Sequence, residues 1–384
     1  MRPPRELARP RQPLDLDSLT QTEGKPVDTQ KPARLNNFDL VRLFAALEVM
    51  INHALSHFGY GIPALLAFSP GVTIFYTISG FLIFWSFSER QDLRTYAGSR
   101  ALRIYPALWA CFAFTVAVLT VLGFLNAETI TRRAVALWVV TQISFLPIVI
   151  PREFAGFGTG NPNGSLWTIA VELQFYLALP LLFYVLNKKA RVVQNLILAG
   201  LAFLSWYAGS LSRSMNPDSV GYTIYMASVI PYLHFFVYGI ALYVNFDTIK
   251  PFVVGKAILW VAAYAAFVGV FHFRFHWYSA DYFPNPFSVI GMVLLSIVVV
   301  SCAYTLPQLA TVLLRHNDIS YGLYLYHMVV VNILVTVGLK GWKAVLLCWV
   351  TSTLLALGSW FAVERPSMGL KRRLLSRTVG KSHS

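Results

Sequence analysis

Charge is what this chain of 384 residues has least of: Asp, Glu, Lys and Arg make up 12% of it, about half the roughly 25% usual in a soluble domain. Hydrophobic residues supply 56% and aromatics 15%, and the mean hydropathy is +0.57. The apolar residues come in long blocks rather than on scattered faces. This excludes a soluble enzyme, a disordered chain and a fibrous one, and leaves a polytopic, all-α membrane protein. Cysteine is scarce as well. Cys111, Cys302 and Cys348 each fall inside an apolar block and fit no metal-ligand spacing. They read as small core residues, against a disulfide framework and with no metal expected. The formal net charge is +14, yet no soluble segment interleaves Lys/Arg with aromatics, so nucleic acid is set aside. The basic residues mark cytoplasmic loops and contacts with anionic membrane lipid. No internal repeat of the kind transporters carry is visible.

Residues 1–37 hold seven Lys/Arg residues, from Arg2 to Arg34, several prolines and no apolar core. They read as a disordered cytoplasmic tail rather than a signal peptide. Residues 367–384, with Lys371, Arg372, Arg373 and Arg377, read as a second basic cytoplasmic tail. Between them lies a membrane domain, 38–366. Ten apolar blocks there approach the roughly 20 residues a bilayer core requires: 38–58, 70–88, 102–124, 166–186, 193–210, 223–245, 252–271, 287–305, 319–338 and 344–363. An eleventh, 134–150, is shorter and contains Thr141, Gln142, Ser144 and Pro147. With the N-terminus inside and ten crossings, most of the 31 Lys/Arg residues fall on cytoplasmic segments. If the eleventh block also crossed, Lys188, Lys189, Arg191 and the basic C-terminus would move outside, against the positive-inside rule. About ten transmembrane helices plus one re-entrant or interfacial helix, with both termini cytoplasmic, is the expected architecture.

An ionisable residue inside a span costs several kcal/mol unless paired or wet, so each is a candidate for function. The first block carries Asp39, Arg42, Glu48, His53 and, at its outer end, His57; the 166–186 block carries Glu172 and Gln174. At 1.5 Å per residue, His53 lies about 8 Å and Glu172 about 9 Å below the outer surface. At matching depth they suit a histidine general base oriented by a carboxylate, or equally a structural hydrogen bond between helices. Glu48, about 140° around the helix from His53, suits helix packing or a separate pairing. His57 suits the interface. His234 and His327 are each satisfiable by a neighbouring backbone group or hydroxyl. The Gly-Asn-Pro-Asn-Gly stretch at 160–164 is a turn that presents Ser165 and Trp167 at the head of the next span. Arg100 and Arg103, three apart, share a helix face; they fit bidentate phosphate binding or ordinary positive-inside flanking.

Taken together, five segments resemble acyltransferase family 3, the integral-membrane O-acyltransferases that modify bacterial surface polysaccharides and related glycans. They are FDLVRLFAALEVMINHA, PGVTIFYTISGFLI, RALRIYP, GSLWTIAVELQFYLALPLL, and ISYGLYLYHMVVV followed by VERP, in the family's order across residues 38–366. Tyr76 replaces a more frequent Phe, and Leu173 replaces a Glu often found beside the first, which weakens any mechanism needing adjacent carboxylates. The resemblance implies catalytic roles for Arg42, His53 and Glu172, and contact of Arg100 and Arg103 with an acyl-CoA donor. Within the same segments it offers Asp39, Ser79, Trp167, Gln174, Tyr176 and His327 as support for the site or substrate. The implied reaction moves an acyl group, acetyl in the simplest case, from cytoplasmic acyl-CoA to a glycan or glycolipid hydroxyl at the outer side of the bacterial inner membrane. Two rivals are a transporter or flippase using the buried charges as its path, and a non-catalytic sensor.

Overall fold

A computed structural model describes residues 36–125, 131–144, 150–279 and 286–370. Nearly all of both expected tails falls outside that range. Among the described residues all regular structure is helical: α1 (Phe38–His57), α2 (Ala64–Ala67), α3 (Gly71–Arg90), α4 (Leu93–Val121), α5 (Arg132–Ile143), α6 (Trp167–Leu186), α7 (Arg191–Leu211), α8 (Val220–Met226), α9 (Leu233–Val244), α10 (Phe246–Val253), α11 (Ala257–Val268), α12 (Pro286–Ala303), α13 (Leu309–Leu314), α14 (Ser320–Thr336) and α15 (Gly341–Ser359). The protein is an all-α polytopic membrane protein.

The expected ten crossings are not reached on length and composition. Among the described residues seven helical runs are long and apolar enough to span, built on α3, α4, α6, α7, α11, α12 and α15. The run through α8 and α9, bent by 43°, makes an eighth if it is one span. α14 is only 17 residues long, and the apolarity of α1 is diluted by Arg42, Glu48, Asn52, His53 and His57. The reasons differ: α14 is apolar but short and walled by protein, whereas α1 is partly buried and is set apart by its polar side chains. Nearly all of α14 is buried, with Tyr321, Ile333, Val335 and Thr336 the less buried positions. A helix walled by other helices needs no uniform apolar surface, so it can carry polar side chains. α5, with 12 residues, is about 18 Å long and too short to cross.

α14 packs against α1 and α15, α1 also packs on α3, and α3 packs on α9. The α3–α9 contact depends on glycine. A Cβ at Gly80 would run into the Phe236 carbonyl, and one at Gly239 into the Thr77 carbonyl. Small residues that let backbones approach are the usual means of holding membrane helices together. Asp92 caps α4, its carboxylate accepting from the Arg94 and Thr95 backbone N–H groups at 3.2 and 3.0 Å. That cap starts the helix two turns before Arg100 and so fixes where both arginines emerge.

Candidate active site

Of the cavities that α1 lines, two hold the candidate residues, one toward each end. The smaller, about 120 Å³, is lined by Arg42, Ser79, Arg100, Arg103, Glu172 and Tyr176, with apolar and aromatic residues between them. The larger, about 1110 Å³, is lined by Glu48, Asn52, His53, Trp167, Arg213 and His272, among others. Val72 and Tyr324 line both. We call them the arginine cavity and the histidine basin.

In the arginine cavity most charges are already matched. Asp318, in the connection before α14, accepts from Arg103 at 2.5 Å and from Arg42 at 3.1 Å, and Arg42 also pairs with Asp39 at 2.8 Å. Burial opposes ionisation of Asp318, but Arg103 and Arg42 outweigh it and hold the carboxyl below the usual aspartate range. Its other oxygen accepts from the Ser320 backbone N–H at 3.2 Å and from the Ser320 hydroxyl, which anchors the start of α14. Arg100 differs. Its guanidinium lies 5.9 Å from the ring centroids of both Tyr96 and Tyr176, a cation–π setting. Among the described residues no acidic group forms an ion pair with it, and its Nε is buried without a hydrogen-bond partner. Of the two arginines expected to act together, Arg103 is committed to Asp318, while Arg100 pairs with no carboxylate among the described residues.

Glu172 accepts a hydrogen bond from the Ser79 hydroxyl at 2.8 Å and another from the Tyr176 hydroxyl. The structure thereby joins Ser79, Tyr176 and Glu172 in one cluster. The expected pairing of Glu172 with His53 is not made, because equal depth on two helices does not make their faces converge. Gln174, two residues on, is engaged elsewhere. Its amide donates to the Ala227 carbonyl at 2.7 Å and accepts from the Val229 N–H at 3.0 Å, holding the break between α8 and α9.

In the histidine basin the partner of His53 is His327. His53 Nδ1 lies 2.8 Å from His327 Nε2, and the rings are inclined by only 15° with centroids 5.1 Å apart. His327 Nδ1 lies 2.8 Å from the Tyr324 carbonyl. His57 is exposed at the helix end, and His234 is satisfied by Ser205 at 3.1 Å, away from both cavities. Glu48 makes the separate pairing: its carboxylate accepts from the Gly71 N–H at 2.6 Å, at the start of α3, and from the Asn52 amide. Trp167 lines the basin with its ring 5.0 Å from Tyr232.

The 160–164 turn is tied to α14. Asn332 accepts from the Thr159 N–H and donates to the Asn161 carbonyl, at 2.8 and 2.7 Å, and Asn163 donates to the Leu325 carbonyl at 2.9 Å. The head of α6 is thus fixed relative to His327. Sequence reasoning missed Asp318 and Tyr324. Asp318 had a signal, an acidic residue one position before an apolar block that opens on Ile-Ser-Tyr. Tyr324 had one too, its place in the Ile-Ser-Tyr-Gly-Leu-Tyr-Leu-Tyr-His segment that carries the family resemblance. Among the described residues no group of three or more His, Cys, Asp or Glu side chains converges as metal ligands would.

The family model described as an acyltransferase domain matches residues 35–364. The chain is 31% identical to Nodulation protein 10 of Rhizobium leguminosarum bv. viciae over 376 residues, covering 92% of this chain and 99% of the relative. It is 27% identical to an O-acetyl transferase of Shigella phage Sf6 over 345 residues, covering 86% and 95%. No solved structure matches. With the family model spanning most of its length, and helices apolar enough to cross a membrane, the chain belongs to acyltransferase family 3 and is a membrane O-acyltransferase.

Proposed function

We propose that the protein moves an acyl group, acetyl in the simplest case, from acyl-CoA to a hydroxyl of a glycan or glycolipid, with His53 as general base. The observation that carries the reading is the pair of unlike cavities meeting at Val72 and Tyr324. One offers an uncommitted guanidinium in a close-fitting space; the other is roomy, polar and lined by a histidine. The name of the phage relative, an O-acetyl transferase, supports acetyl as the group moved.

Arg100 would hold the donor's phosphates, within a cavity whose shape the Asp318-bound Arg42 and Arg103 maintain. The acceptor hydroxyl would enter the basin, and His53 Nε2 would take its proton. The oxygen then attacks the thioester carbonyl, the carbon–sulfur bond breaks, and His53 returns the proton to the departing thiolate. The products are an ester and a free thiol, so atoms and charge balance. For donor and acceptor to meet, the acyl arm has to pass between Val72 and Tyr324.

The charge distribution supports placing the arginine cavity toward the cytoplasm, in the bacterial inner membrane, with both termini inside. A cysteine at exposed Glu153 should then react with an impermeant thiol reagent outside intact cells, and one at exposed Lys189 should not, in a background lacking the three native cysteines. Labelling at 189 reverses the assignment. The activity itself is tested by thiol release from acetyl-CoA by the purified protein with a candidate glycan. Thiol release that does not depend on the glycan, or none with any acceptor hydroxyl, would sink the proposal.

A further inference from the structure

The hydrogen-bond geometry around His327 determines which nitrogen of His53 is the reactive one. A carbonyl oxygen only accepts, so His327 Nδ1, 2.8 Å from the Tyr324 carbonyl, is the protonated nitrogen of its ring. A second carbonyl, that of Leu323, lies 3.3 Å from the same nitrogen. His327 is 0% exposed, and its hydrogen-bond partners are these two carbonyls and His53. No carboxylate is among them. A charge on this ring would be buried without compensation, so the ring is neutral and its Nε2 carries a lone pair. His53 Nδ1, 2.8 Å away, is therefore the donor of that contact. The near-parallel planes and the 5.1 Å centroid separation mean that the rings meet edge to edge, with the lone pair and the N–H in the ring planes. One lone pair then remains on His53, at Nε2, on the ring that lines the basin.

We propose that His327 is a positioning residue for the transfer: by accepting from Nδ1–H it locks the tautomer and orientation of His53, leaving Nε2 bare as the base. The chain of contacts runs from the Tyr324 carbonyl through His327 to His53, in the place where a carboxylate would stand in a serine-protease-like triad. This rests on the reading of His53 as base and assigns His327, rather than Glu172, the task of orienting it. The backbone carbonyl that ends the chain belongs to Tyr324, whose hydroxyl is 2.6 Å from that of Thr168. The orientation of the base is thereby fastened to the same turn of α14 that separates the two cavities. After proton capture His53 carries both ring protons, and Nδ1–H still donates to His327, so no proton needs to leave the pair.

The test has a spectroscopic and a kinetic arm. With ¹⁵N-labelled histidine in the full-length protein in lipid, and His53→Ala to assign the signal, the wild-type His53 ring should show a protonated Nδ1 and a bare Nε2. A ring protonated at Nε2 overturns the proposal without reference to activity. In the kinetic arm His327→Leu, which offers no acceptor, should lower kcat by about 10–100-fold, the range seen when a metal-bound histidine loses the partner that orients it. The KM for acyl-CoA should stay within error. His327→Gln, which restores an acceptor oxygen, should recover part of that kcat and the Nδ1–H signal. His327→Leu with wild-type kcat, or Gln no better than Leu in a folded protein, overturns the proposal. Should His53→Ala remain fully active while the tautomer is as stated, the general-base reading fails and the positional relation between the rings stands.

Discussion

The arginine cavity and the histidine basin are built on the same helix, α1, yet they handle polarity in opposite ways. In the cavity two arginines meet carboxylates: Asp318 takes Arg42 and Arg103, and Asp39 takes Arg42 again, while Glu172 rests on two hydroxyls. In the basin the histidines are held by neutral groups, a carbonyl and another ring. Buried ion pairs contribute little net stability but are costly to break, so the cavity behaves as a fixed frame with one free guanidinium. Neutral hydrogen bonds in the basin orient the rings without adding a charge. Under the proposed function, the difference separates donor binding from chemistry.

The largest effect expected from breaking that division is on His53. His53→Ala should lower turnover by about 10²–10⁴-fold, the usual contribution of a general base, with acyl-CoA affinity unchanged in a titration of the purified protein. More than a tenth of wild-type turnover would place the base elsewhere. Glu172→Gln should cost much less kcat than His53→Ala, since its partners are Ser79 and Tyr176; an equal loss would restore Glu172 as partner of the base.

Asp318→Asn probes the frame. It leaves two guanidiniums without their shared carboxylate, and removal of one partner from a buried pair costs about 3–5 kcal/mol. Thermal unfolding in detergent should register the loss. A melting temperature matching that of the wild type would mean the arginines are held by something other than Asp318.

Arg100→Gln is expected to act on binding alone. Loss of a charge-assisted contact to phosphate should weaken donor affinity by about 1.5–3 kcal/mol, raising KM at unchanged kcat. Lys should rescue in part, as a point charge without the planar fork. The penalty should vanish with a pantetheine thioester that lacks the nucleotide phosphates. Equal losses on both donors would show that Arg100 does not contact phosphate. Arg103→Gln should differ by also lowering thermal stability, because it breaks the Asp318 pair.

The smallest effect concerns acid. The Asp318 carboxyl is held below its ordinary value, so the folded state favours its ionised form. That contribution is complete above the ordinary aspartate range near about pH 4 and is lost as pH falls through the folded value. The acid-side decline in melting temperature should accordingly be shallower in Asp318→Asn than in wild type. Parallel declines would remove Asp318 from any account of acid stability.

The sequence by itself determined the class. Scarcity of charge and long apolar blocks admit only membrane helices, because a bilayer core tolerates few unpaired charges and no unpaired backbone. It also determined which side chains are candidates, since Arg42, His53, Arg100, Arg103 and Glu172 stand out against apolar surroundings. Tertiary structure decided who meets whom. Depth along a helix can be counted in residues, but the rotation of one helix against another is set by packing, such as the glycine-mediated approach of α3 and α9. That rotation gave Glu172 to Ser79 and Tyr176, His53 to His327, and Arg103 to an aspartate 215 residues away in the chain. It also buried α14 among its neighbours, so the helix that carries His327 is short for a span yet walled by protein.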